Sequence, residues 1–162
     1  ADSRGAIYNA NGLNYKKLMA LKKERKSVAD YKPGKKITRD AIFGLKVDIL
    51  IPASVTDVIN DKNKSSIKAK IIVEGANIPM RENVEHWLWR RGIMIVPDMI
   101  ANAGGVISSY AEYRGYNPKR MLDLVEKKIK KTTQAVLRKS VAEKKNPRLV
   151  AMELARAKLS RK

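Results

Sequence analysis

The sequence predicts an α/β fold built on a partial, doubly wound (Rossmann-like) parallel sheet, followed by a C-terminal helical segment. Three short runs rich in Ile and Val carry the strands: Val47–Ala53 (VDILIPA), Ala69–Ala76 (AKIIVEGA) and Gly92–Asp98 (GIMIVPD). Their apolarity is near-continuous rather than alternating, which marks strands buried on both faces, as in a parallel sheet. Helical patterns lie between them, and strand alternating with helix is the pattern of an α/β layer. The last third changes character and reads as helix alone.

Taken in order, Asn14 is placed to cap a helix running to about Lys26, with Tyr15, Leu18, Met19 and Leu21 on one side. Lys32–Lys36 (KPGKK) reads as a solvated turn. Residues 81–91 form a second helix, closed by Gly92 as its C-terminal cap. Two Asn-Pro pairs, Asn117-Pro118 and Asn146-Pro147, each set a capping side chain before a proline at the first helical position. Between them Met121, Val125, Ile129, Thr132, Val136 and Val141 recur at near-helical spacing and leave Lys and Arg to the other face. That seam needs an apolar partner surface. The expected division is residues 1–113, carrying the sheet, and 114–162, the helical segment.

Composition bounds the function. The 162 residues are 44% hydrophobic and 31% charged, a balance that suits a folded globular chain with a sizeable core. No apolar run approaches the ~20 residues of a spanning helix, and the N-terminus lacks the basic start and apolar stretch of a signal peptide. With no cysteine there is no disulfide, thiolate metal site or cysteine nucleophile, and a cytoplasmic location is expected. The formal charge of +19 is the odd feature. Sixteen basic residues face four acidic ones between Arg114 and Lys162, which fits a solvated basic surface, a contact with an acidic partner, or a polyanion such as nucleic acid.

In open parallel sheets ligands collect at the carboxyl ends of the strands. Those ends read Pro52-Ala53-Ser54, Glu74–Pro79 (EGANIP) and Pro97–Gly105 (PDMIANAGG). Small residues let a ligand approach the backbone, and an asparagine amide can both donate to and accept from a carboxamide or ribose. The pair Gly104-Gly105 poses a question, because glycine inside a helix costs roughly 1 kcal/mol against alanine. Either the helix starts after the pair or something comes very close to it. No His, Asp and Glu cluster has metal-ligand spacing, and the single histidine, His86, reads as helix surface beside Trp87. Asp40, Asp48 and Asp57 show no pairing that would support acid–base chemistry.

Four segments, DSRGAIYNANGLN from Asp2, VDILIPAS from Val47, AKIIVEGANIP from Ala69 and IMIVPDMIANAGGVISSYAEY from Ile93, resemble the cofactor domain of glutamate dehydrogenases, in order and spacing. The hexameric archaeal and bacterial kind is the most similar. EGAN followed by NAGGV is specific to that family and its amino-acid dehydrogenase relatives. The resemblance implies NAD or NADP as cofactor, with Asn102 at the nicotinamide end, Asn77 at the neighbouring ribose or carboxamide, and Ala53 along the cofactor through its backbone. It implies that Val106 and Ser109 face an amino-acid substrate, glutamate being the first choice, with Ser109 donating to its side-chain carboxylate. Asp2 would accept from the ribose hydroxyls and favour NAD, whereas Arg4 could instead pair with a 2′-phosphate.

The same resemblance implies what else the protein needs. The three runs correspond to the last three strands of the order 3-2-1-4-5-6, so the first strand and its glycine-rich turn are expected before residue 1, together with a substrate domain bearing the catalytic Lys and Asp. No catalytic residue is expected in this chain, which by itself would be inactive, and the whole protein is expected to be a homo-oligomer, a hexamer. Two positions depart from the family pattern: Met80 and Arg81 follow EGANIP where threonines are usual, and Ala111 stands where an aromatic residue is common. The competing expectation is a catalytically degenerate relative whose basic surface grips nucleic acid or a protein partner.

Overall fold

Ile72, at the centre of the apolar run Ala69–Ala76, is the middle residue of a three-stranded parallel sheet and is fully buried. The computed structural model describes residues 1–160, and the chain falls into two units: residues 1–46 with 65–68, and residues 47–64 with those from 69 onward. The expected helical segment 114–162 therefore ends, as far as it is described, at residue 160; Arg161 and Lys162 lie outside the described residues.

The first unit pairs β1 (Ala6–Tyr8) with β2 (Lys35–Ile37) antiparallel, Ile7 opposite Lys36. Between them runs α1 (Tyr15–Lys23), whose first turn is capped as expected: the Asn14 side chain accepts from the Lys17 N–H. The helix stops short of Lys26 because Arg25 turns left-handed, at φ +56°. Its expected apolar side is only half covered, with Leu18 and Leu21 partly buried and Tyr15 and Met19 exposed. The unit's core is instead Ala6, Ile7, Ala29, Tyr31 and Ile67, and the Tyr31 hydroxyl accepts from the Asn14 N–H at 2.9 Å.

The second unit carries the parallel sheet, in the order β3 (Ile49–Leu50), β4 (Ile71–Val73), β5 (Met94–Val96). Its register sets Leu50 beside Ile72 and Ile72 beside Ile95. The central strand is buried as its sequence predicts. The edge strand is buried on one face only: Leu50 is buried, whereas Ile49 and, just past the strand, Ile51 are 53% and 60% exposed, an edge that no described element of this unit covers. Helix α2 (Glu82–Arg90) links β4 to β5, buries Val84, Glu85 and Leu88, and ends at Gly92, whose φ of +85° matches its predicted capping role.

After β5 come a short α3 (Asp98–Ala101) and α4 (Gly104–Tyr113), then α5 (Pro118–Glu143) and α6 (Pro147–Leu159). Both Asn-Pro caps form: Asn117 accepts from Arg120 N–H at 2.9 Å and Asn146 from Arg148 N–H at 2.8 Å. The partner surface that the α5 seam requires is supplied by α3, α4 and α6, with Ile100, Val136, Val150, Ala151 and Leu154 packed together. One seam position differs. Val141 is 63% exposed, and the buried place belongs to Ser140, whose hydroxyl donates to the Lys145 carbonyl at 2.5 Å. A helix turns 100° per residue, so one step moves a side chain off the packed stripe.

Candidate functional site

The loops that follow β3, β4 and β5 meet. Ala76 N–H donates to the Pro52 carbonyl at 2.9 Å, Asp57 N–H to the Ile78 carbonyl at 3.0 Å, and the Thr56 hydroxyl to the Asn77 carbonyl at 3.2 Å. Gly75 is what permits this lacing, since a Cβ there would lie 2.9 Å from the Ala53 Cβ. Ala53 itself is exposed at the mouth of the loop.

The two asparagines converge. Asn102 Nδ2 donates to Asn77 Oδ1 at 2.6 Å, across the ends of the adjacent strands β4 and β5. The bond leaves Asn77 Nδ2 as a donor on an exposed residue and Asn102 Oδ1 as an acceptor on a half-buried one. Next to Asn77, Ile78 is held left-handed at φ +48°, a conformation rarely tolerated by a β-branched residue. It is pinned from both sides, its N–H donating to Asp98 Oδ2 at 2.9 Å and its carbonyl accepting from Asp57.

Helix α4 answers the question of the glycine pair. Gly104 and Gly105 are its first two residues, with no side-chain cap before them. A Cβ on Gly104 would touch Val125 of α5 at 3.4 Å, whereas one on Gly105 would meet nothing within 4 Å. Gly104 thus seats the helix on α5, and Gly105 faces open space. Val106, beside it, is 78% exposed. Ser108 and Ser109 both donate to the Gly105 carbonyl, at 2.8 and 3.1 Å, so the Ser109 proton is engaged along its own helix, as serines in helices often are.

Asp2 belongs to the first unit, and its carboxylate is fully used there. One oxygen accepts from Ser27 Oγ at 2.9 Å and Arg4 N–H at 3.0 Å; the other accepts from Val28 N–H at 2.9 Å and Lys22 at 3.4 Å. The Val28 N–H above all, working against partial burial, holds the acid well below the usual carboxylate range. The two family departures also find structural employment. Met80 and Ala111 are buried core, and Arg81 makes a two-pronged ion pair with Asp57 at 2.7 and 2.6 Å. His86 is exposed and tilts over Trp89, with ring centroids 5.6 Å apart. Among the described residues no group of three or more His, Cys, Asp or Glu could hold a metal ion, and no helix is long and apolar enough to cross a membrane.

Sequence reading missed the cluster beneath the loops. Arg148, from the first turn of α6, donates from Nη2 to Glu74 Oε2 at 2.8 Å, from Nη1 to Asp98 Oδ1 at 3.0 Å and from Nε to Glu85 Oε2 at 2.5 Å. Glu74 Oε2 also accepts the Asp98 N–H at 2.7 Å. Three carboxylates round one guanidinium leave a surplus of negative charge where little water reaches. Burial therefore pushes Glu74 up to about 7 and Glu85 up as well, with Arg148 offsetting this only in part. Asp98 goes the other way: burial would raise it, but the Ile78 N–H, Arg148 and the Met99 N–H outweigh that and hold it down. The signal in the sequence was Glu74, an acid ending an apolar strand; Arg148 was hidden among the many basic residues of the helical segment.

The family model of the glutamate/leucine/phenylalanine/valine dehydrogenases matches residues 1–162. The chain belongs to that family. It is 47% identical over 113 residues to the glutamate dehydrogenase of Thermotoga maritima, a match covering 70% of this chain and 27% of that protein. It is 41% identical over the same length, with the same shares, to the NADP-specific glutamate dehydrogenase of Saccharolobus shibatae. The chain thus spans roughly a quarter (27%) of the length of these dehydrogenases. The fold is that of a hetero-hexameric glutamate dehydrogenase from Thermus thermophilus in a leucine-bound form: TM-score 0.80 at 22% identity, over 96% of this chain and 38% of that one.

Proposed function

We propose that this dehydrogenase-family chain forms the nicotinamide-side wall of an NAD or NADP site in an amino-acid dehydrogenase acting on glutamate. The observation that carries the reading is the asparagine pair. On these two joined amides Asn77 Nδ2 remains as a donor and Asn102 Oδ1 as an acceptor, the two functions a primary carboxamide such as that of nicotinamide complements. Open space over Gly105 and the exposure of Ala53 leave the backbone approachable at both residues. These residues fit the group.

A nicotinamide held by Asn77 and Asn102 would supply the acceptor for the hydride that an amino acid loses from its α-carbon; with a proton released from the amine this would leave an imine, which water would open to a 2-oxo acid and ammonia. Asn77 and Asn102 hold the carboxamide and so fix which ring face is presented. Val106 packs on the substrate's aliphatic stem. Ser109 exchanges its bond to the Gly105 carbonyl for one to the substrate's distal carboxylate. Asp2 is the acid that the resemblance implies would disfavour a 2′-phosphate; within its own unit its oxygens already hold four donors. The catalytic Lys and Asp belong to a substrate domain outside this chain, and the whole protein assembles as a homo-oligomer, a hexamer in the reading that the resemblance supports.

Fluorescence titration of the full-length protein with NADH and NADPH tests this. Asn102→Asp sets a carboxylate against the Asn77 carbonyl and should weaken NADH binding by about tenfold, the loss of a hydrogen bond to a desolvated group. Wild-type affinity in the variant would remove Asn102 from the site.

A further inference from the structure

We propose that Arg148, remote in sequence and buried beneath the loops, is a positioning residue that sets the geometry of the Asn77–Asn102 pair. The path is continuous. Arg148 binds Glu74 and Asp98 with separate nitrogens, at 2.8 and 3.0 Å. Glu74 directly follows β4, and its Oε2 accepts the N–H of Asp98, the first residue of α3. Asp98 in turn accepts the N–H of Ile78, the residue after Asn77, and its carbonyl accepts the N–H of Asn102 at 3.0 Å. Asn77 is therefore one peptide away from an N–H bound to the Asp98 carboxylate, and Asn102 is hydrogen-bonded to the backbone carbonyl of the same Asp98, whose side chain Arg148 holds.

Charge explains why the guanidinium is needed. Glu74, Glu85 and Asp98 approach one another from β4, α2 and α3, and Arg148 of α6 is the cation that faces them. Without it, the charges of Glu74 and Asp98 repel, which works against the bond between Glu74 and the Asp98 N–H, one of those that join the two loops together with the Ile78 N–H to Asp98. A planar fork can bind three acids in fixed directions, which a single ammonium cannot. The strained Ile78 has the same dependence, since a left-handed β-branched residue persists only while its surroundings over-determine it. Arg148 touches neither asparagine, so its effect on them runs through Glu74 and Asp98.

The pairing can be read without any cofactor; only its consequence for binding rests on the function proposed above. In the protein labelled with 15N, hydrogen exchange of the Asn102 side-chain amide is measured in the wild type, Arg148→Lys and Arg148→Gln. Both variants should exchange about fivefold to tenfold faster at Asn102, the factor one ordinary hydrogen bond supplies, while backbone amides of β4 and β5 keep their protection. If Arg148→Gln does not fold, the double variant Arg148→Gln with Glu85→Gln removes a buried charge that lies off the path, and the same amide is read. Unchanged Asn102 exchange in a folded Arg148 variant overturns the proposal. Faster exchange with unaltered NADH affinity in the full-length protein supports the positioning role and counts against the cofactor assignment instead.

Discussion

Asn102 and Asn77, 25 positions apart, share a 2.6 Å hydrogen bond across the ends of neighbouring parallel strands. Strand-end loops in such a sheet are where ligands gather, and these two bring a matched donor and acceptor to one place. Asn102→Ala removes the bond at a site open to water, so the unliganded protein should lose only about 1 kcal/mol, read by urea denaturation. NADH affinity should fall further than stability does. An equal loss in both would mean that the pair is only a loop fastening.

Gly105 separates cofactor binding from stability more sharply. A Cβ there meets nothing, and alanine is the better helix former by up to about 1 kcal/mol, less in a first turn. Gly105→Ala should raise the melting temperature of the unliganded protein slightly and weaken NADH binding. A stabilised variant with unchanged affinity would mean that no ligand backs onto this glycine.

The buried acids make stability depend on pH. Glu74 titrates near 7 in the folded protein and near 4.5 when unfolded, so between those values the native state binds the extra proton. Stability from this group is greatest below about pH 4.5 and is lost as pH rises through 7, by an amount of order 3 kcal/mol. Asp98 has the opposite sign: its contribution is present above its unfolded value of 3.8 and falls away in acid. Urea midpoints at pH 5 and pH 8 should differ in the wild type, with pH 5 the more stable in this respect. Glu74→Gln should flatten that difference.

The α5 seam gives a purely structural check. Val136 is 1% exposed between α3 and α6, and Val136→Ala should cost about 1–3 kcal/mol in chemical denaturation. Val141→Lys, one residue off the stripe, should change stability by less than about 0.5 kcal/mol. The reverse ranking would place Val141 in the packed seam.

The contrast between those two valines shows what was legible in the sequence and why. Period, cap and turn chemistry are local, so the three strands, α2, α5, α6 and the caps at Asn14, Asn117 and Asn146 could be read directly. The seam's last member was misplaced because a helical period tolerates a one-residue slip that only packing resolves. The β1–β2 pair escaped notice because Lys35–Ile37 has no strand pattern and is held by a partner nearly thirty residues away. The asparagine convergence was implied by the family resemblance, which sets EGAN and NAGGV at one cofactor. The Arg148 cluster was not, because four charged residues up to 74 positions apart look like surface until the fold buries them.

Side-chain amide spectra recorded during addition of NADH at millimolar concentration decide between a cofactor wall and a fastened loop. The Asn77 and Asn102 amide signals should move together, along with the backbone signal of Gly105, and saturate at one common concentration. Spectra in which all three stay fixed while NADH shifts signals elsewhere, or none, would contradict the assignment of this surface to the nicotinamide ring.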